Sequence, residues 1–86
     1  MIINVTADCI ARGTLKNAGS CPVALAVKEQ TRFQDVLVEL DSISVYYGTA
    51  FAVMKTSNKI ESFISAFDLE KEVKTFSFEA PDEWRK

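Results

Sequence analysis

The sequence contains no histidine. Histidine is the most common general base and metal ligand in proteins, so its absence excludes Ser-His-Asp and Cys-His catalytic arrangements within one chain. Cysteine is scarce as well: Cys9 and Cys21 are the only two, and their spacing fits neither a CxxC pair nor a four-ligand zinc site. We therefore expect no catalytic residues, no metal and no cofactor, and a protein that is not an enzyme.

The chain also has no large net charge of either sign. Ten basic and twelve acidic residues give a formal net charge of -2, and the basic residues are dispersed along the chain. Without a basic patch no field attracts phosphate groups, so nucleic-acid binding is disfavoured. The glycines between residues 13 and 19 do not match the phosphate-binding pattern that ends in GK[ST], which leaves nucleotide binding without support.

Long hydrophobic runs are absent too. No apolar stretch approaches the ~20 residues that cross a bilayer, and the first residues lack a basic region followed by an apolar one. We therefore expect no membrane insertion and a cytoplasmic location.

What the sequence does contain is enough apolar material for one folded domain. Hydrophobic residues make up 48% of the chain and charged residues 26%, a composition typical of a packed globule. We expect a single α+β domain over residues 1–86. Its charged tail, residues 80–86, is expected to fray unless Trp84 anchors it.

The N-terminal residues predict a strand followed by a short helix. Residues 2–5, Ile-Ile-Asn-Val, are mostly β-branched and apolar, which favours a strand. Thr6 is suited to cap a helix over about 7–12, and Gly13 to end it. Such a short helix needs tertiary packing, since it does not persist alone in water.

A second helix is predicted to begin at the Cys-Pro pair. Pro22 is tolerated in the first helical turn, where its missing N–H is no loss, and Ser20 or Cys21 can serve as the N-cap. The residues up to Gln30 are compatible with continuation of this helix.

The middle of the chain predicts three strands. Residues 33–40 alternate between apolar and polar positions, and residues 43–47 repeat that pattern. The stretch 47–50, Tyr-Gly-Thr-Ala, places glycine at the first central position of a two-residue loop, which a type II′ hairpin requires. The register then pairs Tyr47 with Ala50 and, in steps, Ile43 with Met54.

One face of this predicted hairpin is unusually apolar. Tyr46, Phe51 and Val53 share it with Ser44, and such a face is too apolar simply to meet water. Two interpretations stay open: another helix of the same domain covers these side chains, or they form a partner or self-association surface.

The C-terminal part predicts a third helix and a last strand. Apolar residues recur at helical spacing; they are Ile60, Phe63, Ile64 and Phe67. Asn58 and Glu61 resemble a capping box at the start of this helix. Residues 73–78 then alternate as a strand that ends near Ala80-Pro81.

The predicted order is therefore β-α-α-β-β-β-α-β. This order favours an α+β fold, with about five strands in a single, mostly antiparallel sheet and the helices packed on one face. The first and last strands are expected to be neighbours near the middle of that sheet.

Cys21 is the one candidate for chemistry. A thiol at a helix N-terminus meets unpaired N–H groups, which can lower its pKa and make it a nucleophile or a redox sensor, and Lys16 could add to this effect. The alternative is that Cys21 is a small buried apolar side chain in the core. The carboxylate pairs Asp35/Glu39 and Asp68/Glu70 are read as solvated surface charge.

Three motifs resemble a family of short bacteriophage and prophage proteins whose role is uncharacterised. They are the segment Cys9-Ile10-Ala11-Arg12-Gly13, the CPVALA helix at 21–26, and the block FISAFD at 63–68 followed by Val73, Phe76 and Phe78. The chain departs from the pattern at Glu70, where a glycine is expected after the helix. The resemblance implies a phage-encoded accessory protein in the host cell cytoplasm that acts by binding, in a host-virus interaction.

These observations favour a non-enzymatic protein-binding module, whose partner is a host protein or a second copy. Its contact surface would be the Tyr46, Phe51 and Val53 face or an exposed sheet edge. The alternatives are a thiol-dependent enzyme or redox sensor centred on Cys21, and a structural homo-oligomer whose sheet faces pair. The oligomeric state and the partner are not readable from the sequence.

Overall fold

A computed structural model describes residues 1–85 of the chain. The elements are β1 (Ile2–Val5), α1 (Ala7–Arg12), α2 (Pro22–Gln30), β2 (Asp35–Val38), β3 (Ser42–Tyr47), β4 (Ala50–Lys55), α3 (Asn58–Asp68), β5 (Phe76–Glu79) and a short 3-10 helix (Asp82–Trp84). The predicted α+β class and the predicted order of helices and strands are confirmed.

Strands β2, β3 and β4 form an antiparallel meander in that order. The predicted hairpin register is confirmed from the Tyr47–Ala50 pair to the Ile43–Met54 pair. Gly48 has a φ of +60° and Thr49 does not have a positive φ, which is the combination of a type II′ turn. A residue with a Cβ would be strained at Gly48, so this glycine sets the register of the whole hairpin.

Strands β1 and β5 pair antiparallel with each other, as expected, but they form a separate two-stranded sheet. The prediction of a single five-stranded sheet is therefore corrected. The reason lies at Asn4, whose backbone N–H donates to Oε1 of Gln30 over 2.8 Å and whose carbonyl accepts from Nε2 of Gln30 over 2.7 Å. The Gln30 amide thus occupies the place where a neighbouring strand would bond to β1.

The core lies between the helices and one face of the β2–β3–β4 sheet. Every second residue of β2 and β3 is buried; these are Val36, Val38, Ile43 and Val45. They belong to one cluster with buried residues of α2, α3, β1 and β5, so the helices cover this face, as predicted.

Alternation along residues 33–40 and 43–47 also assigns Leu40 and Tyr47 to the core side, but both are exposed. Leu40 lies beyond the end of β2, and Tyr47 lies at the loop end of the hairpin. Strands β2 and β5 begin later than predicted: β2 begins at Asp35 instead of residue 33, and β5 begins at Phe76 instead of residue 73.

Helices α1 and α2 meet at a close backbone contact. The Thr6 hydroxyl caps α1 by accepting from the Cys9 N–H over 3.2 Å, as predicted. Gly13 ends α1 with an ordinary φ of -66°, so positive φ is not what requires a glycine here. A Cβ on Gly13 would lie 2.5 Å from the Pro22 ring, and the chain can pass Pro22 only where no side chain intervenes.

Helix α3 begins one residue earlier than its predicted capping box. Its N-cap is Ser57, whose hydroxyl accepts from the Ile60 N–H over 3.4 Å. At the other end, the Lys71 N–H donates to the Ala66 carbonyl and the Glu70 N–H to the Phe67 carbonyl, both over 2.9 Å. This is a Schellman motif, and it places Glu70 in the left-handed region with a φ of +60°.

The C-terminal segment packs against the body of the molecule. Trp84 is only 1% exposed and meets the Phe33 ring edge to face, with ring centroids 5.7 Å apart. The N-terminal amino group donates to the Ala80 carbonyl over 2.8 Å and forms an ion pair with Asp82. Trp84 and Asp82 are therefore the residues through which this segment contacts the rest of the chain.

Candidate protein-binding surface

The side of the β2–β3–β4 sheet that faces away from the core carries a continuous apolar surface. We define this outer face by five residues: Leu37, Ser44, Tyr46, Phe51 and Val53. The strand register places them side by side, because Leu37 is opposite Ser44, Ser44 is opposite Val53, and Tyr46 is opposite Phe51.

The apolar side chains of the outer face meet solvent. Phe51 is 67% exposed and Val53 is 54% exposed, and Leu37 is exposed as well. The interpretation that a helix of the same domain covers Tyr46, Phe51 and Val53 is therefore wrong. All three helices contribute to a single core on the opposite side, so no element within residues 1–85 remains that could cover the outer face.

The aromatic pair at the centre of this face is pre-arranged. The Tyr46 and Phe51 rings lie side by side, with centroids 6.2 Å apart and a tilt of 30°. Because both side chains stand on neighbouring strands of one hairpin, a partner that contacts them need not order them first. Tyrosine and phenylalanine at the centre of a patch are typical of protein interfaces.

Charged residues lie at the borders of the outer face. Asp35 is opposite Tyr46 on β2, and Lys55 is the last residue of β4. Both are exposed. The surface therefore has an apolar centre with charge at its margins, the arrangement found at protein contacts.

The outer face continues into an open sheet edge along β4. In a two-residue hairpin the residues that flank the loop exchange hydrogen bonds, so Ala50, Ala52 and Met54 bond to β3. The N–H and carbonyl groups of the alternate residues point away from the sheet; these residues are Phe51, Val53 and Lys55. Within residues 1–85 no other group bonds to the outward backbone of these three.

The opposite edge of the same sheet is covered. The outward N–H of Val38 on β2 donates to the Ala18 carbonyl over 2.8 Å, and the Ala18 loop runs along this strand. The edge of β1 that faces away from β5 is covered at Asn4 by the Gln30 amide. Within the β2–β3–β4 sheet, the open edge is therefore that of β4.

Cys21 is the N-cap of α2 and lies in the wall of a pocket of about 500 Å³. The pocket also borders Lys16, Asp68 and Ser65. The cysteine itself is only 5% exposed. Burial raises the pKa of the Cys21 thiol, and this effect exceeds the lowering by the N–H groups of Ala24 and Val23. A raised pKa leaves little thiolate at neutral pH, the opposite of what a nucleophilic cysteine needs.

Lys16 borders the same pocket as Cys21 and contacts Asp68 there. Its backbone N–H donates to Oδ1 of Asp68 over 3.0 Å, and the Asp68 carboxylate raises the pKa of Cys21 further. Cys9 is fully buried, and the Thr6 hydroxyl donates to its sulfur over 3.3 Å. Both cysteines are free thiols.

The sequence indicated most of this site but missed one part. It identified Tyr46, Phe51 and Val53 as one face, because alternation and the Gly48 turn fix the register. It mentioned an exposed edge without assigning it to β4. The available signal is the composition of residues 50–54, which hold no charge and no proline, the two residue types that usually protect an edge strand.

No protein-family model, no curated protein and no solved structure matches this chain. Across residues 1–85, no helix is long and apolar enough to cross a membrane. The same part of the chain holds no group of three or more Cys, Asp or Glu side chains placed to bind a metal ion.

Proposed function

We propose that this chain is a non-enzymatic protein-binding module and that the outer face is its contact surface. The observation that carries the proposal is the exposure of Phe51 and Val53 beside Tyr46 in a folded domain with a complete core. Monomeric soluble proteins rarely expose contiguous apolar patches unless something binds there.

Rigidity supports the same function. The outer face stands on a meander whose other side is buried, and its register is fixed by the Gly48 turn. A rigid apolar face with aromatic residues at its centre can bind with little loss of side-chain entropy. Catalysis would need a cleft with polar groups that converge on a reacting atom, and the outer face presents none within residues 35–55.

The cellular setting in this proposal comes from the motif resemblance. The Cys9–Gly13 segment, the CPVALA helix and the C-terminal block support a phage-encoded accessory protein that works in the host cytoplasm. We propose that it binds a bacterial host protein and changes what that protein does.

The test is an affinity capture that compares three forms of the chain. The double variant Phe51→Thr/Val53→Thr removes apolar side chains from the outer face but keeps residues that favour strands. Leu69→Ser is the matched control, because Leu69 is exposed to the same extent as Phe51 but lies outside the outer face, at the end of α3. All three forms are first compared by circular dichroism and thermal unfolding.

The proposal expects a bacterial protein that is retained by the wild-type chain and by Leu69→Ser and lost with the double variant. If all three forms retain the same proteins in the same amounts, the outer face is not the contact surface and the proposal fails.

A further inference from the structure

The β4 edge differs from the covered edges of β1 and β2 in what surrounds it. Phe51, Val53 and Lys55 direct N–H and carbonyl groups outward, and no group within the described chain satisfies them. The strand has no bulge in its register and no proline, and its one protective charge, Lys55, is at its end. An edge of this kind is a template for another strand.

The strand is complementary to itself. In an antiparallel pair of two β4 strands centred on Val53, each Lys55 lies opposite Phe51 of the other copy. The only charge on the strand then meets the only aromatic ring, twice, and a lysine ammonium is attracted to a ring face. The two Lys55 side chains stay at opposite ends, so no like charges meet.

This register also uses the whole edge. Each of the three outward residues carries one donor and one acceptor, which gives about six hydrogen bonds between two copies. We propose that two copies of this chain pair through β4, antiparallel about a two-fold axis, and join their sheets into one six-stranded sheet. The proposal goes beyond the binding function above and does not depend on it.

The small contact area favours a second copy over a flexible peptide. A six-residue strand is ~20 Å long, and the strip it covers is well below the ~800 Å² per partner of a standard stable interface. A disordered peptide would lose ~1–2 kcal/mol of backbone entropy for each residue it orders. The β4 strand of a second copy is already ordered by its hairpin, so it pays no such cost.

The same small contact area limits the affinity of the dimer. We expect a dissociation constant on the order of 0.1 mM, at the weak end of specific association. In the dimer the two outer faces lie on the same side of one continuous sheet, because a two-fold axis perpendicular to a sheet preserves its sides.

The test is sedimentation equilibrium of the full chain from about 10 µM to about 1 mM, a range that brackets the expected dissociation constant. Val53→Pro removes an outward N–H that the hairpin does not use, and proline is tolerated at such edge positions. Val53→Thr is its matched control, because it keeps the N–H and the β-branched shape. We expect Val53→Pro to weaken dimerisation at least about tenfold and Val53→Thr to retain it.

A second pair of variants tests the register without proline. Phe51→Lys alone places lysine opposite Lys55 of the other copy, twice, and is expected to weaken the dimer about tenfold. The double variant Phe51→Lys/Lys55→Phe restores a lysine opposite a phenylalanine and is expected to recover the wild-type dissociation constant. The three altered positions, 51, 53 and 55, are all exposed in the monomer, so folding is checked by circular dichroism alone.

Three results would overturn the proposal. The wild-type chain could remain monomeric at about 1 mM, Val53→Pro could dimerise as strongly as Val53→Thr, or the double variant could fail to recover. A monomer that still captures a partner through its outer face would remove this inference and leave the proposed function standing.

Discussion

Replacing Glu70 with glycine is expected to stabilise the protein. Glu70 occupies the left-handed position of the Schellman motif that ends α3, with a φ of +60°. A side chain in that conformation costs ~1–2 kcal/mol, because its Cβ crowds the following carbonyl. Glycine avoids this cost but loses ~0.5–1 kcal/mol more conformational entropy on folding.

The difference gives a net stabilisation of ~0.5–1 kcal/mol for Glu70→Gly. For a domain of this size each kcal/mol raises Tm by roughly 4–8 °C, so an increase of about 2–8 °C is expected. Thermal unfolding followed by circular dichroism, with urea unfolding as a second measurement, is sufficient to detect it.

Glu70→Ala is the matched control. It removes the carboxylate, whose charge is unfavourable near a helix C-terminus, but it keeps the Cβ and therefore the backbone strain. A Glu70→Gly variant no more stable than Glu70→Ala would show that the left-handed conformation does not carry this cost, and the reasoning would be refuted.

Three further predictions follow from other parts of the fold. Gly13→Ala should lower the free energy of unfolding by ~1–3 kcal/mol through its clash with the Pro22 ring. In urea unfolding, the Gly13→Ala/Pro22→Ala double variant should recover part of that loss. If the effects of the two substitutions on the free energy of unfolding are purely additive, the contact is contradicted. Cys21 and Cys9 should react with iodoacetamide at pH 7.5 at least about tenfold more slowly in the folded chain than in urea. A fast reaction of Cys21 in the folded chain would instead support a thiol-dependent function. The bond between Asp82 and the terminal amino group lowers the pKa of Asp82 and raises the pKa of that amino group. The contribution of this bond to the stability of the fold is therefore lost as pH falls below 3.8 and as pH rises above 8.0, the ordinary pKa values of the two groups. Urea unfolding midpoints of wild type and Asp82→Asn should differ most near pH 6 and converge at both extremes, and a pH-independent difference would exclude this cause.

The local elements were predictable because their signals are local. The Gly48 turn fixed the hairpin register, Thr6 marked the start of α1, and Pro22 marked the first turn of α2. Each of these rests on a backbone requirement of one or two residues.

The arrangement of the sheets was not predictable from the same signals. The β1–β5 pair is separate from the β2–β3–β4 sheet, and on the β1 side the Gln30 amide, which reaches Asn4 across 26 positions in the chain, takes the place of a further strand. Alternation along β3 and β4 shows which side chains share a face, but not whether a third layer covers it. For this reason the sequence left both interpretations of Tyr46, Phe51 and Val53 open.

At Glu70 the backbone conformation differs from what the residue type alone favours. The motif resemblance leads one to expect glycine after α3, and the chain nevertheless adopts the conformation that glycine favours. The two Schellman hydrogen bonds hold the turn. The hydrogen bonding of the helix end there overrides the preference of a single residue.

The central claim is that the outer face of the β2–β3–β4 sheet is a contact surface. Its most direct measurement is photo-crosslinking in bacteria that produce the chain, with benzoylphenylalanine at position 51 and, in a matched form, at position 69. Crosslinks to a protein from position 51 and none of comparable yield from position 69 are predicted. Equal yields from both positions, or crosslinks from position 69 alone, would contradict the account.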